Sequence, residues 1–254
     1  MLNGIEGIVN GTTNYILTKL TDAHGRAAAD YDEVLRDAQR LGFAETDPTL
    51  DVQGFDAAFK TVILLAHGFG LVVQPSDVIR RGITSVSPFD VRIAANRGQT
   101  IKLLSQSRQL GNDVSSYVLP TFVANERGLA GVRDEYNAVS LQAAFSDAQF
   151  MSGKGAGSHP TASAVLSDIA ALRYGYRYEY KKIEQKNTSR FNNNIPIRIY
   201  ARSADDAILQ SVPWHSKDVE YRSNDGHYII GATTLDALAD SAAFHDASTF
   251  IATV

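Results

Sequence analysis

The apolar and polar positions divide this chain into a helical first part, a strand-rich middle and a short alternating tail. Ile5 to Asn10 reads as a buried strand, and Gly11, Thr12 and Thr13 supply small caps for a helix beginning near Asn14. The apolar positions Tyr15, Ile16, Leu20 and Ala23 form its stripe. A second helix, Tyr31 to Leu41, is expected to be capped by Asp30 and stopped by Gly42. A long helix opening at Asp51 runs on through Val62-Ile63-Leu64-Leu65-Ala66, followed by a short element at Ser76 to Ile79 and a helix from Pro88 to Asn96. Beyond Gly98 the rhythm changes to strands at 99–107, 114–123, 138–143 and 148–151, separated by Gly, Asn and Asp. Helices first and strands later predict an α+β fold, with helices on one face of a mixed or antiparallel sheet.

The polar, asparagine-rich stretch 177–194 reads as a linker between a first domain, 1–176, and a small one, 195–254. In the tail the pattern predicts a strand at 195–201, a helix at 204–212, a hairpin of 218–222 with 227–230 around Ser-Asn-Asp-Gly, a helix at 235–244 and a strand at 249–254. That βαββαβ order defines a ferredoxin-like unit, near the lower size limit for an independent fold. No internal repeat is visible in the first part.

Composition narrows the function classes. At 254 residues, 44% hydrophobic and 20% charged, with a net charge of -4, the chain has the make-up of a globular protein. The basic stretch Arg177 to Arg190 is interrupted by acids, so no nucleic-acid partner is expected. The longest apolar run is far too short to cross a bilayer, and the first residues lack a secretory pattern. With no cysteine there is neither a disulfide framework nor a thiolate metal site, and the six histidines are scattered without ligand spacing. No metal site and a cytoplasmic location are the expectations.

Candidate chemistry concentrates between Ala38 and Lys60, where Glu45, Asp47, Asp51 and Asp56 precede a single lysine. Thr46-Asp47-Pro48-Thr49 suits a bend. Asp56 and Lys60 stand four apart, so on a helix they share a face near its N-terminal end. Such a pair is also a common solvated ion pair. The apolar run directly after Lys60 predicts instead a partly buried stem, where an ammonium with a fixed carboxylate partner becomes useful for proton transfer.

Three blocks carry a family resemblance. The stretch Ala38 to Lys60 has the pattern A-x-x-x-G-aromatic-A-E-x-D-P-x-x-D-x-x-G-x-D-x-x-x-K, which resembles the homoserine dehydrogenase signature. Gly7 to Leu17, reading GIVNGTTNYIL, and Gly153 to Val165, reading GKGAGSHPTASAV, resemble two further blocks of that family, in family order. The resemblance covers residues 5 to about 175. It implies the catalytic-domain fold of that family and interconversion of L-homoserine and L-aspartate 4-semialdehyde with NAD(P), in threonine, methionine and isoleucine biosynthesis. Residue by residue, it makes Lys60 the proton-transfer group and Asp56 its orienting partner. Glu45 and Asp51 become carboxylates for the substrate's ammonium, and Gly11 and Thr12 contacts beside substrate and nicotinamide. Gly155, Ala156, Pro160 and Thr161 become the late turn at the cofactor. His67 and His159 read as packed or capping histidines rather than catalytic ones.

Departures from the family pattern shape the remaining expectations. No strand–Gly-x-Gly-x-x-Gly–helix unit occurs in the chain, so the cofactor is expected to be held mainly by a domain outside these residues, together with the family's second lysine. The chain then reads as the substrate part of a truncated or split polypeptide; the family's monovalent-cation site lies largely before Gly7. Phe43 stands where the family often has tyrosine. The tail resembles an ACT domain in position and order, but its first turn is Arg202-Ser203-Ala204-Asp205 rather than Pro-Gly, so packing or homodimerisation is expected rather than effector binding. Two competing readings are a non-catalytic oligomerisation and regulatory module, and a different oxidoreductase sharing the substrate-domain fold.

Overall fold

The computed structural model describes residues 2–21, 29–177, 179, 181–184, 189–223 and 226–254. Strand β1 (Leu2–Ile8) leads into α1 (Gly11–Lys19), which starts three residues earlier than the pattern predicts because Asn10, not the hydroxyl residues, is the cap: its side chain accepts from the amide of Thr13. Ala23, assigned to this helix by its periodicity, lies outside the described residues. Helix α2 (Tyr31–Arg40) is capped by Asp30 and followed by Gly42 at φ +78°, as expected. The single long helix predicted from Asp51 is two. Helix α3 (Thr49–Val52) ends before Gly54, whose φ of +79° breaks the spiral, and α4 (Phe55–Phe69) begins beyond it.

A 3₁₀ turn at Pro75–Asp77 precedes β2 (Ile79–Arg80) and α5 (Pro88–Asn96), the latter closed by a reciprocal Ser87–Asp90 capping box. Strands β3 (Gln99–Leu110) and β4 (Asp113–Ala124) form a long hairpin. After a second 3₁₀ turn at Gly128–Gly131 come β5 (Tyr136–Ala143) and β6 (Ser146–Lys154), then α6 (Ser158–Arg173). The presumed linker carries α7 (Lys181–Glu184) and β7 (Arg190–Phe191). Its asparagines are not free spacers. Asn193 accepts from the Ser116 amide and Asn192 donates to Asp113, so side-chain amides tie this stretch to β4. The tail is β8 (Pro196–Arg202), α8 (Asp206–Gln210), β9 (Ser216–Ser223), β10 (Gly226–Thr234), α9 (Leu235–Ala239), α10 (Ala242–His245) and β11 (Phe250–Thr253). Ser241 caps α10 and so splits the one helix expected there; Asn224 and Asp225, at the expected hairpin turn, lie outside the described residues.

One open mixed sheet holds all of this, in the order β6-β5-β1-β3-β4-β11-β8-β10-β9, with β2 and β7 also on β4. The tail strands keep the ferredoxin-like order, β11-β8-β10-β9. Yet they extend the first sheet, through a parallel pairing of β11 with β4 at Thr253 and Thr121. The reason lies on β4. Its free edge is paired piecewise, by β7 at Asp113, β2 at Tyr117 and β11 at Thr121.

Alternation along the strands then sends the two helix layers to opposite faces. Val118 and Phe122 of β4 pack with α1, α4 and α5 in the largest core cluster. Leu119 instead joins Leu209, Leu235, Leu238 and Ala243 under α8, α9 and α10. Helices on one face therefore holds within each part, but not across the sheet. The other face of the tail is not bare: Tyr200, Ile230, Phe250 and Ala252 belong to the first cluster. At this seam Asp90, fully buried, accepts from the Tyr200 hydroxyl and the Arg202 Nε, both at 2.8 Å. Burial beside that carboxylate raises the Tyr200 hydroxyl far above its ordinary pKa, which keeps it a donor.

Candidate active site

The chain leaves β1 at Val9 and Asn10 and immediately turns into α1, so the strand end and the helix start share one wall of a cleft of about 710 Å³. The break at Gly54 brings α3 and α4 to the same point. Asn10 Nδ2 donates to Asp51 Oδ1 at 2.7 Å and to Asp56 Oδ2 at 2.9 Å. Lys60 Nζ donates to the same Asp56 oxygen at 2.7 Å and to the Val9 carbonyl at 3.0 Å. One carboxamide, two carboxylates and one ammonium thus form a continuous hydrogen-bonded set. The Asn10 carbonyl end is occupied by the Thr13 amide and hydroxyl, which fixes the rotamer and aims the NH₂ at the acids.

The opposite wall is built by the 132–137 segment and the glycine turn after β6. Lys154 pairs with Glu135 at 2.7 Å, and each group's charged form is favoured by the other: the Lys154 ammonium is pushed above its ordinary pKa and the Glu135 carboxyl below. Two glycines make the close approach possible. A Cβ on Gly11 would lie 2.8 Å from the Glu135 carbonyl, and one on Gly155 would lie 2.1 Å from the Asn137 amide nitrogen. Phe43 closes one side, its ring tilted 31° against Tyr15 at 4.5 Å between centroids, while its carbonyl accepts from the Thr12 hydroxyl at 2.6 Å.

Of the residues named from the sequence, Gly11, Thr12, Asp51, Asp56, Lys60, Gly155, Ala156 and Pro160 line this cleft. Glu45 and Thr161 do not: both are exposed and stand outside the lining. The stem of Lys60 is partly buried and paired with Asp56 as expected, with the side chain still 47% exposed at the cleft. His67 and His159 are exposed, His67 in the last turn of α4 and His159 in the lining of the cleft. Four further polar residues of the site, Asn10, Glu135, Asn137 and Lys154, went unassigned in the sequence. Asn10 alone carried a local signal, as the residue before a Gly-Thr-Thr helix start. Among the described residues no cluster of His, Cys, Asp or Glu could hold a metal ion, and no helix is long and apolar enough to cross a membrane.

An α+β fold here gathers an ammonium, two carboxylates and a carboxamide around a glycine-walled cleft, an arrangement with the charge and size to suit a small polar molecule. Comparison with known proteins gives the family. A family model described as homoserine dehydrogenase matches residues 1–170. The homoserine dehydrogenase of Bacillus subtilis (strain 168) is 41% identical over 171 residues, 67% of this chain and 39% of that protein. That of Mycobacterium tuberculosis (strain ATCC 25618 / H37Rv) is 46% identical over 170 residues, 65% of this chain and 38% of its own length. Among solved structures, a homoserine dehydrogenase from Thiobacillus denitrificans superposes with a TM-score of 0.78 at 30% identity, covering 99% of this chain and 64% of that one. The S. aureus homoserine dehydrogenase gives 0.73 at 29% identity, over 99% and 65%. The chain belongs to the homoserine dehydrogenase family, and its matched segment spans less than two fifths of those curated relatives.

Proposed function

We propose that this chain is the substrate-binding half of an NAD(P)-dependent homoserine dehydrogenase, interconverting L-homoserine and L-aspartate 4-semialdehyde. The observation that carries the reading is the Asn10–Asp51–Asp56–Lys60 set in one cleft. Asp51 and Asp56 offer negative charge for an α-ammonium group. Lys60, held by Asp56 and the Val9 carbonyl, is the group that hands a proton to, or takes one from, the substrate oxygen. Glu45 faces solvent here, so its proposed contact with the substrate ammonium requires a neighbouring domain to close over it.

The nicotinamide, when bound, exchanges a hydride with the substrate carbon. Gly155, Ala156 and Pro160 are proposed at its near side, where Gly155 lets the turn approach the Asn137 wall of the cleft. The sequence has no Gly-x-Gly-x-x-Gly turn for its pyrophosphate, so that part of the cofactor is proposed to be held by another domain. Helix α6 supports a domain seated nearby: none of its residues is buried, and Val165, Leu166, Ile169 and Leu172 present an apolar stripe. A cytoplasmic homodimer is part of the proposal, supported by the exposed edge strand β6 with Phe150 and Met151. The intact cleft counts against a purely non-catalytic module.

The experiment is nicotinamide reduction with homoserine, by the chain alone and by the chain fused to the dinucleotide-binding domain of the B. subtilis relative. No turnover alone and clear turnover in the fusion is the expected outcome. Robust turnover by the chain alone would sink the division of labour, and a folded but inactive fusion would sink the substrate assignment.

The tail is proposed not to bind threonine, methionine or lysine. Its first turn is taken up by the chain's own bonds and lacks the glycine that would bring backbone amides close to a carboxylate. Arg202 is engaged by Asp90 and the Ser85 carbonyl, the Ser203 hydroxyl accepts from the Asp205 amide, and Asp205 caps α8. An effector's charged ends would be desolvated without compensation. Calorimetric titration of the chain with each amino acid is expected to give no heat of saturable binding; micromolar affinity for any of them refutes the reading.

A further inference from the structure

On the sheet face opposite α1, α4 and α5, the 3₁₀ turn Gly128–Gly131 covers one region and α8, α9 and α10 cover another. Between them, where β4 meets β11, lies a cavity of about 340 Å³ remote from the cleft. It opens where the two parts of the sheet are joined by a single pairing, Thr121 with Thr253. Its floor is a hydrogen-bonded polar row. The Tyr117 hydroxyl donates to Gln106 Oε1 at 3.1 Å, Gln106 Nε2 donates to Thr121 Oγ1 at 3.1 Å, and that oxygen lies 2.8 Å from Thr253 Oγ1. Burial pushes the Tyr117 hydroxyl up to about 12, so it stays protonated and polar without carrying charge.

Three guanidinium groups line the same space. Arg127 is paired with Glu6, and Arg198 with Asp218 at 2.9 Å. Arg108 is exposed and has no ion pair among the described residues. The cavity therefore carries positive charge that the chain itself does not neutralise, above a floor of fixed polar groups.

We propose that this cavity binds a small organic dianion, a dicarboxylate or a phosphate ester, with Arg108 as its anchor. The planar guanidinium fork recognises both groups through paired charge-assisted hydrogen bonds. The volume is at the lower end for small-molecule sites, which excludes a nucleotide-sized ligand. With Arg127 and Arg198 already paired, the charge left over is that of Arg108, so an α-ammonium is disfavoured relative to a second anionic group. The site also has a route to the cleft. Gly4 and Glu6 of β1 line the cavity, and the same strand runs on to Val9 and Asn10, which hold Lys60 and the two carboxylates.

The test is calorimetric titration of the 254-residue chain with succinate, with glycerol 3-phosphate and with neutral succinamide, at about 0.15 M salt so that diffuse attraction is screened. Saturable binding of at least one dianion, with none of succinamide, is expected. Arg108→Gln should weaken it tenfold or more, while Arg36→Gln, an exposed arginine on α2, should leave it unchanged. The succinate and phosphate arms separate the two sources of charge. No saturable binding of either dianion overturns the proposal. Equal weakening by both substitutions overturns it too.

Discussion

Lys60→Ala is expected to lower the turnover of the fused enzyme by roughly a hundred-fold or more while its melting temperature stays almost unchanged. The two halves of that expectation come from different features. Lys60 is 47% exposed and its partner Asp56 31%, so as an ion pair they contribute below about 1 kcal/mol to stability. The kinetic cost arises because the ammonium is not free to wander. It is fixed between a carboxylate oxygen and a backbone carbonyl, on a cleft wall whose other ionisable groups, Asp51 and Asp56, are already engaged by Asn10 and by Lys60 itself. Steady-state rates and a melting curve on the same sample separate the readings. A solvated surface pair would leave the rate nearly untouched, and that result would remove Lys60 from the chemistry. Asp56→Asn sharpens the comparison. It keeps the hydrogen-bonding shape but removes the charge that holds both Lys60 and the Asn10 amide, so it should reduce the rate in the same direction.

Asp56 and Lys60 were legible because their relation is local. Four residues apart on a helix, they must meet whatever surrounds them. Their partner Asn10 was not, since it reaches Asp51 and Asp56 across 41 and 46 residues and only the chain's path brings them together. Glu135, Asn137 and Lys154 are hidden for the same reason: each is unremarkable in its own strand or loop, and the cleft exists only once β5 lies beside β1. Glu45 shows the converse. A family pattern assigns it a role, but the conformation of this chain alone leaves it in solvent. At the level of the fold, alternation sufficed for the ferredoxin-like order of the tail. It said nothing of how the tail joins the rest, because that depends on which part of the β4 edge each of β7, β2 and β11 takes up. The resulting exchange of helix layers between faces follows from that junction, not from any residue pattern.

Stability should rise as the pH is taken from 7 towards 10, and Lys102→Met should abolish most of that rise. Lys102, on β3, is only 2% exposed. Its ammonium donates to Asn14 Oδ1 at 3.0 Å and to the Val132 carbonyl at 2.5 Å, with no carboxylate in ion-pairing range among the described residues. Burial is the main cause that brings its pKa down to about 8, with Arg133 acting in the same direction and Asp134 against it. In the unfolded chain the same group titrates near its ordinary value of about 10.4. Between those two values the unfolded state holds more protons, so raising the pH favours the folded state, by roughly 3 kcal/mol once both values are passed. The penalty of the buried charge is fully present below pH 8 and fades above it. Tyr31, also raised to about 12 by burial, opposes the trend only above pH 10, which sets the upper limit of the measurement. Urea unfolding at intervals from pH 7 to 10 gives the slope directly, and the slope rather than the absolute stability is diagnostic, since Lys102→Met also strips donors from Asn14 and Val132. The arrangement bears on the cleft because the Asn14 amide in turn reaches the carbonyls of Asp134 and Tyr136, on either side of Glu135. A wild-type slope no steeper than that of the methionine variant would mean that Lys102 keeps an ordinary pKa in the folded protein and that its burial is relieved by water.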